Sequence, residues 1–290
     1  PLSWIYGLAV EFRNNLFDTG VLQQKEYPIP IICVGNLTVG GTGKTPHIEY
    51  LIRLLSDKYK VAVVSRGYKR KSNYLQVVQT NSDVNRVGDE PLQMKLKYPK
   101  TTIVVDKDRR NAIDYLLKQS KDEQPDVILL DDGYQHRYVK PSLSILLMDS
   151  NRPIYEDILL PAGNLREPIR RKDRASIVVV TKCGENMQPI NFRIIANGLD
   201  LFPFQSLYFT NFVYHRLKPV FPLLNKETYS LDNIRKKHVL LLAGIASTKS
   251  LEEKLSMKTY NLQTLFFPDH HFYDKIDVRV IEKQFATMPD

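Results

Sequence analysis

The sequence lacks the features that mark disulfide-stapled, secreted and membrane-spanning proteins. Only two of its 290 residues are cysteines, and neither belongs to a C-x-x-C pair. Because Cys33 and Cys183 each lie in or just after an apolar run, we expect two buried cytosolic thiols rather than a disulfide framework or a zinc site. No apolar run approaches the ~20 residues of a membrane-spanning helix. Glu11, Arg13 and Asp18 come too early for a secretory signal peptide, so none is expected.

Acidic residues are fewer than basic ones. The chain has 32 Asp and Glu against 41 Lys and Arg, which gives a formal net charge of +9 and a pI near 9.3. This excess suits nucleic acid, an anionic membrane or a phosphorylated substrate, although a basic solvated surface is the plain alternative. Hydrophobic residues make up 43% of the chain, enough to bury a sizeable core in one large or two modest domains.

Short continuous apolar runs alternate with helical patterns through most of the chain. Runs of this kind are typical of strands that are buried on both faces of a parallel sheet. Helices are predicted between them, for example at 46–55 and 108–118. The sequence therefore predicts an α/β fold whose main domain is a doubly wound, mostly parallel sheet. Strands are predicted at 29–36, 59–65, 101–106, 125–132, 143–149 and 175–181.

Several of the predicted strands end in a polar residue. Ligands of open α/β sheets bind at the carboxyl ends of the strands, so these residues are candidates for a site. The alternative is that the strands simply leave the sheet into polar loops. The strand-end residues are Ser65, Asp106, Asp131, Asp149 and Thr181.

The pattern changes near residue 200, which predicts a second, smaller α/β lobe. Residues 206–215 alternate between apolar and polar side chains, as an antiparallel strand does. A buried strand is predicted at 237–246, and a helical pattern follows from Ser247. The predicted domains are an N-terminal helix at 1–20, a main domain at 21–200 and the smaller lobe at 201–290.

The segment TVGGTGKT predicts a phosphate-binding loop. It follows a predicted strand and precedes a predicted helix, where backbone N–H groups form an anion cradle. Lys44 would reach the β- and γ-phosphates of ATP, and the Thr45 hydroxyl would bind Mg²⁺. Thr38 stands where the usual pattern has glycine, but the later glycines form the cradle. The predicted ATP-binding residues are Thr38, Val39, Gly40, Gly41, Thr42, Gly43, Lys44 and Thr45.

Two acidic segments are candidates for metal binding and general-base catalysis. DVILLDDGYQH is an apolar strand that ends in acid, so Asp131 or Asp132 should meet Mg²⁺ directly or through water. GDEP places Asp89 and Glu90 between a turn glycine and a helix. Either acid suits a general base or a metal partner, although an aspartate at this place is also a good helix N-cap.

The N-terminal helix predicted at 3–17 has an apolar face. It either packs on its own domain or lies on a membrane surface with Trp4 and Tyr6 at headgroup depth. Two basic segments, at 66–71 and 165–174, are either solvated charge or binding sites for phosphate and anionic headgroups. The apolar face of the helix consists of Ile5, Leu8, Phe12 and Leu16.

One ordered set of motifs resembles the tetraacyldisaccharide 4'-kinase family, the lipid A 4'-kinases of Gram-negative bacteria. The set reads VGNLTVGGTGKTP, SRGYKR, VGDEP, DKDRR, LLDDGYQHR, PAGNLREP and FPDHHFY, and the likeness runs from about residue 4 to the end of the sequence. The resemblance implies ATP- and Mg²⁺-dependent phosphorylation of the 4'-hydroxyl of a disaccharide 1-phosphate lipid. It also implies work at the cytoplasmic face of the inner membrane, with the N-terminal helix helping membrane association.

The resemblance also implies roles for individual residues. Asp89 matches the acid thought to act as catalytic base, and His270 matches the histidine paired with it. A sugar hydroxyl is a poor nucleophile until its proton is accepted, which explains why a kinase of this kind has such a carboxylate. Lys44 and Thr45 match the phosphate and Mg²⁺ positions. The further matches are Glu90, Asp131 and Asp132 near the metal, and Arg109, Arg166 and Glu167 in the active site.

The likeness departs at the C-terminus. Members of the family usually continue with another strand and an acidic TEKDA-type motif, whereas this sequence stops at ATMPD. We therefore expect either a shortened sequence or an incomplete smaller lobe.

Two other classes of protein remain as alternatives. A membrane-associated switch or partitioning ATPase has a similar loop, but it carries a signature lysine where this sequence has Val39. A non-enzymatic anion-binding module on membranes or nucleic acid would not need a P-loop followed by a strand that ends in acid. No nucleic-acid motif and no obligate protein partner is evident, and an anionic membrane surface is the expected partner besides the lipid substrate.

Overall fold

The computed structural model describes residues 2–214, 216–220, 228–245 and 248–289. By their contacts they form two compact units, Pro1–Asn211 and Phe212–Asp290. Each unit is described by itself below.

The larger unit is built on one sheet with strand order β3-β4-β2-β5-β1-β6-β7-β8. Neighbouring strands are parallel, except that β3 runs antiparallel to β4. The predicted doubly wound, mostly parallel sheet is therefore confirmed. Its strands are β1 (Ile31–Asn36), β2 (Val61–Ser65), β3 (Gln76–Val77), β4 (Thr102–Val105), β5 (Val127–Asp131), β6 (Leu143–Asp149), β7 (Ile177–Thr181) and β8 (Ser206–Phe209). Its helices are α1 (Leu2–Asp18), α2 (Lys44–Leu55), α3 (Val84–Val87), α4 (Asp89–Lys97), α5 (Arg109–Leu117) and α6 (Pro189–Leu199).

The central strands of this sheet are buried on both faces. Every residue of β2 and β5 is buried, and their side chains enter apolar clusters on opposite sides of the sheet. Half of the residues in these two strands are β-branched and pack well on a pleated surface, which favours strands for these continuous apolar runs. β1 lies between β5 and β6. This order places the loop after β1 between the acidic ends of its two neighbours, Asp131 and Asp149.

The prediction of an antiparallel strand at 206–215 is wrong for the part that forms a strand. β8 pairs in parallel with β7, with Ile177 opposite Ser206, and extends the sheet of the larger unit. Its residues alternate between exposed and partly buried, because an edge strand covers one face of a sheet and leaves the other to solvent. This alternation has period two in either strand direction, so the sequence pattern could not reveal the direction. His215 lies outside the described residues.

The smaller unit contains one βαβ arrangement. β9 (His238–Ala243) and β10 (Asn261–Phe266) pair in parallel, and α7 (Lys249–Ser256) lies between them in the chain. α8 (Lys275–Ala286) follows. β9 coincides with most of the strand predicted at 237–246, whereas Ala246 and Ser247 lie outside the described residues. In the described part of this unit, Ile234, Leu241 and Leu255 are the buried members of a small hydrophobic cluster.

Candidate functional site

The P-loop, residues 38–45, joins β1 to α2 and contains two glycines in left-handed backbone conformations. Gly40 has φ 93° and Gly43 has φ 86°, values that residues with a side chain rarely adopt. A Cβ at Gly40 would also approach the Arg152 guanidinium to 3.3 Å. α2 begins at Lys44, so the loop opens onto a helix N-terminus, where backbone N–H groups and the helix dipole favour an anion.

The start of the P-loop is held by the loop that precedes Arg166. The Val39 N–H donates to the Asn164 carbonyl oxygen at 2.8 Å, and Thr38 forms an antiparallel bridge with Leu165. Thr38 is buried. Thr38 thus pairs with a neighbouring segment, and this pairing needs no glycine at the first position of the motif.

Acidic side chains gather beside the Thr45 hydroxyl. Thr45 Oγ1 donates to Glu90 Oε1 at 2.8 Å. Asp131, at the end of β5, accepts a hydrogen bond from Ser65 Oγ at 3.0 Å, while its Oδ1 is buried with no hydrogen-bond partner among the described residues. Burial, followed by the negative charges of Glu90 and Asp132, raises the pKa of Asp131 to about 7. The site thus holds more negative charge than its own hydrogen bonds compensate.

Asp132 has the opposite environment. Its carboxylate lies 3.7 Å from Lys44 Nζ and 3.3 Å from the Arg166 guanidinium. Burial by itself would raise the pKa of Asp132, but Lys44 and Arg166 outweigh it and hold the pKa below the ordinary value. Arg109 is buried and donates to the Asp132 main-chain oxygen at 3.1 Å. The structure therefore brings Lys44, Asp132, Arg109 and Arg166 together around one turn.

These residues fit a magnesium ion. Among the described residues no group of three or more His, Cys, Asp and Glu side chains could by itself hold a metal ion. Mg²⁺ does not require such a cage, because it keeps several waters and takes one or two carboxylates together with substrate phosphates. The unpartnered Asp131 Oδ1 and the Thr45–Glu90 pair supply the oxygen ligands that Mg²⁺ prefers.

Asp89 is the first residue of α4, next to the acidic cluster. Gly88 occupies the N-cap position, so the alternative that Asp89 is a helix N-cap is wrong. Asp89 is exposed, and its Oδ1 accepts a hydrogen bond from the Glu90 N–H at 2.9 Å. Gly67 and Gly88 let the basic segment at 66–71 lie close to the turn that precedes α4. A Cβ at Gly67 would meet the Val87 carbonyl oxygen at 2.8 Å.

His270 belongs to the smaller unit. It adopts a left-handed conformation with φ 56°, its N–H donates to the Gly244 oxygen at 3.3 Å, and its Nε2 lies 3.7 Å from Asp269 Oδ2. The neighbouring His271 pairs with Asp277 at 2.8 Å. The pairing of His270 with a base in the larger unit stays a prediction.

Glu167 has contacts away from the acidic cluster. Its buried carboxylate accepts hydrogen bonds from Asn14 Nδ2 at 3.2 Å and from Arg174 at 2.6 Å. Asn14 is in α1. These contacts join α1 to the segment that precedes β7, and a role of Glu167 in the active site stays a prediction.

α1 has two unlike faces. One face is bound by polar contacts, among them a hydrogen bond from the Tyr6 hydroxyl to the Arg166 main-chain oxygen at 2.8 Å and an ion pair of Glu11 with Arg171. The other face exposes large apolar side chains at helical spacing, with 64–80% of their surface accessible: Trp4, Ile5, Leu8 and Phe12. Leu16, predicted for the same face, is partly buried. Of the helices in the described ranges, none has both the length and the apolarity that crossing a membrane requires.

Three side chains outside the predicted ATP-binding, metal and catalytic residues contact P-loop carbonyl groups. They are Thr181, Lys182 and His47. Thr181 stands among the strand-end polar residues, and Lys182 follows it directly, so the strand-end rule could have found both. His47 carries no comparable sequence signal.

The chain is similar to proteins of one family. The family model described as Tetraacyldisaccharide-1-P 4'-kinase matches residues 1–288. The tetraacyldisaccharide 4'-kinase of Phocaeicola vulgatus is 48% identical over 291 residues, covering 100% of this chain and 79% of that protein. The protein of the same name from Parabacteroides distasonis is 49% identical, covering 99% and 78%. The crystal structure of LpxK from Aquifex aeolicus in complex with ATP has a TM-score of 0.74 and 32% identity, covering 95% of this chain and 84% of that one.

Proposed function

Since the chain belongs to the tetraacyldisaccharide 4'-kinase family, we propose that it transfers the γ-phosphoryl group of ATP to the 4'-hydroxyl of a tetraacyldisaccharide 1-phosphate. The chain is thus a kinase of lipid A biosynthesis. The observation that carries the residue roles is the gathering of Lys44, Thr45, Glu90, Asp131 and Asp132 at the carboxyl ends of β1 and β5.

Lys44 and the P-loop hold the nucleotide phosphates. The backbone N–H groups at the start of α2 bind the phosphate oxygens, and Lys44 neutralises charge on the β- and γ-phosphates. Asp132, which pairs with Lys44 and Arg166, keeps both cations beside the P-loop. Arg166 then stabilises the charge that spreads over the transferring phosphoryl group. Arg109 stabilises the turn at Asp132 by donating a hydrogen bond to the main-chain oxygen of that residue.

Thr45, Glu90 and Asp131 would hold Mg²⁺. When bound, this ion neutralises charge on the β- and γ-phosphate oxygens. Of the two consecutive aspartates, Asp131 is the better candidate for contact with the ion, because its Oδ1 has no hydrogen-bond partner in the described part of the chain. Asp132 already faces two cations.

Asp89 accepts the proton of the 4'-hydroxyl, and His270 orients or tunes it. An exposed carboxylate beside the metal ligands can reach a hydroxyl of a large substrate that approaches from solvent. General-base help of this kind contributes about 10²–10⁴-fold to the rate.

The exposed face of α1 binds the membrane that holds the lipid substrate. Aromatic and apolar side chains on one helical face suit an interfacial helix, since they bury apolar surface at the headgroup boundary. The net charge of +9 favours an anionic membrane. The site of action is then the cytoplasmic face of the inner membrane of a Gram-negative bacterium, where this helix docks as a peripheral anchor.

Transfer of labelled γ-phosphate from ATP to a tetraacyldisaccharide 1-phosphate tests this function. The labelled product should appear only when acceptor is present. Phosphate release at the same rate without acceptor would instead indicate a switch ATPase. Omission of Mg²⁺ and its restoration in the same assay test the proposed role of the ion.

A further inference from the structure

Two side chains that follow one another at the end of β7 donate hydrogen bonds to consecutive carbonyl groups of the P-loop. Lys182 Nζ donates to the Gly41 oxygen at 2.6 Å. Thr181 Oγ1 donates to the Thr42 oxygen at 2.9 Å and lies 3.2 Å from a second oxygen, that of Met148. Because a hydroxyl has one proton, the shorter contact identifies the P-loop oxygen as the main acceptor.

The next carbonyl group of the loop is held in the same way. His47 Nδ1 lies 2.7 Å from the Gly43 oxygen. A carbonyl oxygen only accepts, so Nδ1 carries a proton. The other ring nitrogen, Nε2, lies 3.3 Å from Thr210 Oγ1, just after β8. Burial lowers the pKa of His47, which favours the neutral ring with this single tautomer.

Holding a carbonyl group fixes the N–H group that follows it. The peptide unit is planar and trans, so its C=O and N–H point in opposite directions. A donor behind the Gly41 oxygen therefore turns the Thr42 N–H to the other side of the loop. By the same geometry, holding the next two carbonyl groups orients the N–H groups of Gly43 and Lys44. These are the N–H groups that a P-loop offers to nucleotide phosphates.

We infer that Thr181, Lys182 and His47 are positioning residues that set the affinity of the P-loop for nucleotide phosphates by orienting three successive N–H groups. This inference rests on the proposed function, because it concerns the ATP site of that reaction. The three side chains bind the carbonyl groups of the loop, whereas the phosphates bind its N–H groups.

The arrangement is built into the sheet. Lys182 is held by Asp149 Oδ2 at 2.7 Å, and both side chains are nearly buried. Asp149 and Thr181 are opposite one another in the β6–β7 pairing. Lys182 itself adopts a left-handed backbone conformation with φ 57°. A residue other than glycine persists in such a conformation only when its surroundings hold it there, and such residues cluster at functional sites.

The test measures Mg-ATP affinity by calorimetry on the full 290-residue chain, without acceptor. Thr181→Val removes the hydroxyl at nearly constant volume, and Thr181→Ser keeps it. The matched control is Thr259→Val, since Thr259 is buried and donates to the Lys237 oxygen at 2.8 Å in the smaller unit. Thr181→Val should weaken ATP affinity about 3- to 10-fold, the range expected for one hydrogen bond. Thr181→Ser and Thr259→Val should bind ATP as the unmodified chain does.

If Thr181→Val fails to fold, a second pair of variants, at His47, still tests the inference. His47→Ala should weaken ATP affinity, and His47→Asn should restore it, because an asparagine amide nitrogen can replace Nδ1. Equal ATP affinity in Thr181→Val and Thr259→Val, or no restoration by either conservative variant, would overturn the inference. A chain that binds ATP but transfers no phosphate to acceptor would contradict the proposed function and leave this inference standing.

Discussion

The carboxylates of Asp131 and Asp132 are consecutive in the chain yet have opposite electrostatic environments. Asp131 is buried beside Glu90 and Asp132, and its pKa is raised to about 7. Asp132 faces Lys44 and Arg166, which hold its pKa below the ordinary value. The left-handed conformation of Asp132, with φ 48°, turns the chain sharply between them. The Asp131 carboxylate thus lies among other acids, whereas the Asp132 carboxylate faces two basic side chains.

The charge of Lys44 should be indispensable for phosphoryl transfer. Lys44→Ala removes the cation that neutralises the β- and γ-phosphates, so kcat should fall at least about 100-fold. Labelled-phosphate transfer measures the loss. Lys58→Ala removes an exposed lysine after α2 and should leave the rate unchanged. Near-normal turnover of Lys44→Ala would contradict its assignment to the phosphates.

Asp89 should act on the rate and hardly on nucleotide binding. Asp89→Asn keeps the shape of the side chain but cannot take up a proton at neutral pH. We expect kcat to fall about 10²–10⁴-fold, with ATP affinity within about twofold of the unmodified chain. Steady-state kinetics and calorimetry separate the two quantities. A rise in KM alone would show that Asp89 binds substrate without acting as the base.

The two aspartates should affect stability in opposite directions in protein free of nucleotide and Mg²⁺. Because the pKa of Asp131 rises from 3.8 to about 7 on folding, the folded chain keeps a proton that the unfolded chain loses between these values. The stability contributed by this group therefore falls as pH rises through that window. Asp131→Asn cannot ionise, so its Tm should exceed that of the unmodified chain at pH 8, and the difference should shrink towards pH 4.

Asp132→Asn provides the matched contrast. The pKa of Asp132 is lowered on folding, so its charged form stabilises the folded chain above the ordinary pKa, and this stabilisation is lost as pH falls. Asp132→Asn should therefore lower Tm at neutral pH. For a chain of this size, about 1 kcal/mol corresponds to a Tm change of about 2–4 °C. Changes of the same sign in both variants at pH 8 would contradict the two environments.

The exposed face of α1 should determine membrane binding without contributing to stability. The triple variant Trp4→Ser, Leu8→Ser and Phe12→Ser should bind vesicles of phosphatidylglycerol at least about tenfold more weakly, since each exposed apolar side chain gains up to about 1.5–3 kcal/mol on burial. Vesicle co-sedimentation measures the change. Leu54→Ser, at an exposed position of α2, is the control. If the triple variant instead melts much earlier, the face supports the fold.

The sequence predicted those parts of the fold that depend on local patterns. β6 coincides with the strand predicted at 143–149, and the P-loop lies between a strand and a helix as expected. The direction of β8 was not predictable, because edge strands alternate with period two whichever way they run. Of the residues predicted for the site, Lys44, Thr45, Glu90, Asp131, Asp132, Arg109 and Arg166 come together in the structure.

The sequence by itself predicted a site for a nucleotide triphosphate, because a glycine-rich loop with lysine and threonine, and an apolar strand that ends in acid, are recognisable from their own residue types. Only the tertiary structure shows which of the two adjacent aspartates has a buried carboxylate oxygen without a hydrogen-bond partner in the described part of the chain. It also showed that Glu167 holds α1 and that Thr181, Lys182 and His47 hold the P-loop. These roles depend on contacts between residues far apart in the chain, and only the order of strands in the sheet brings such residues together.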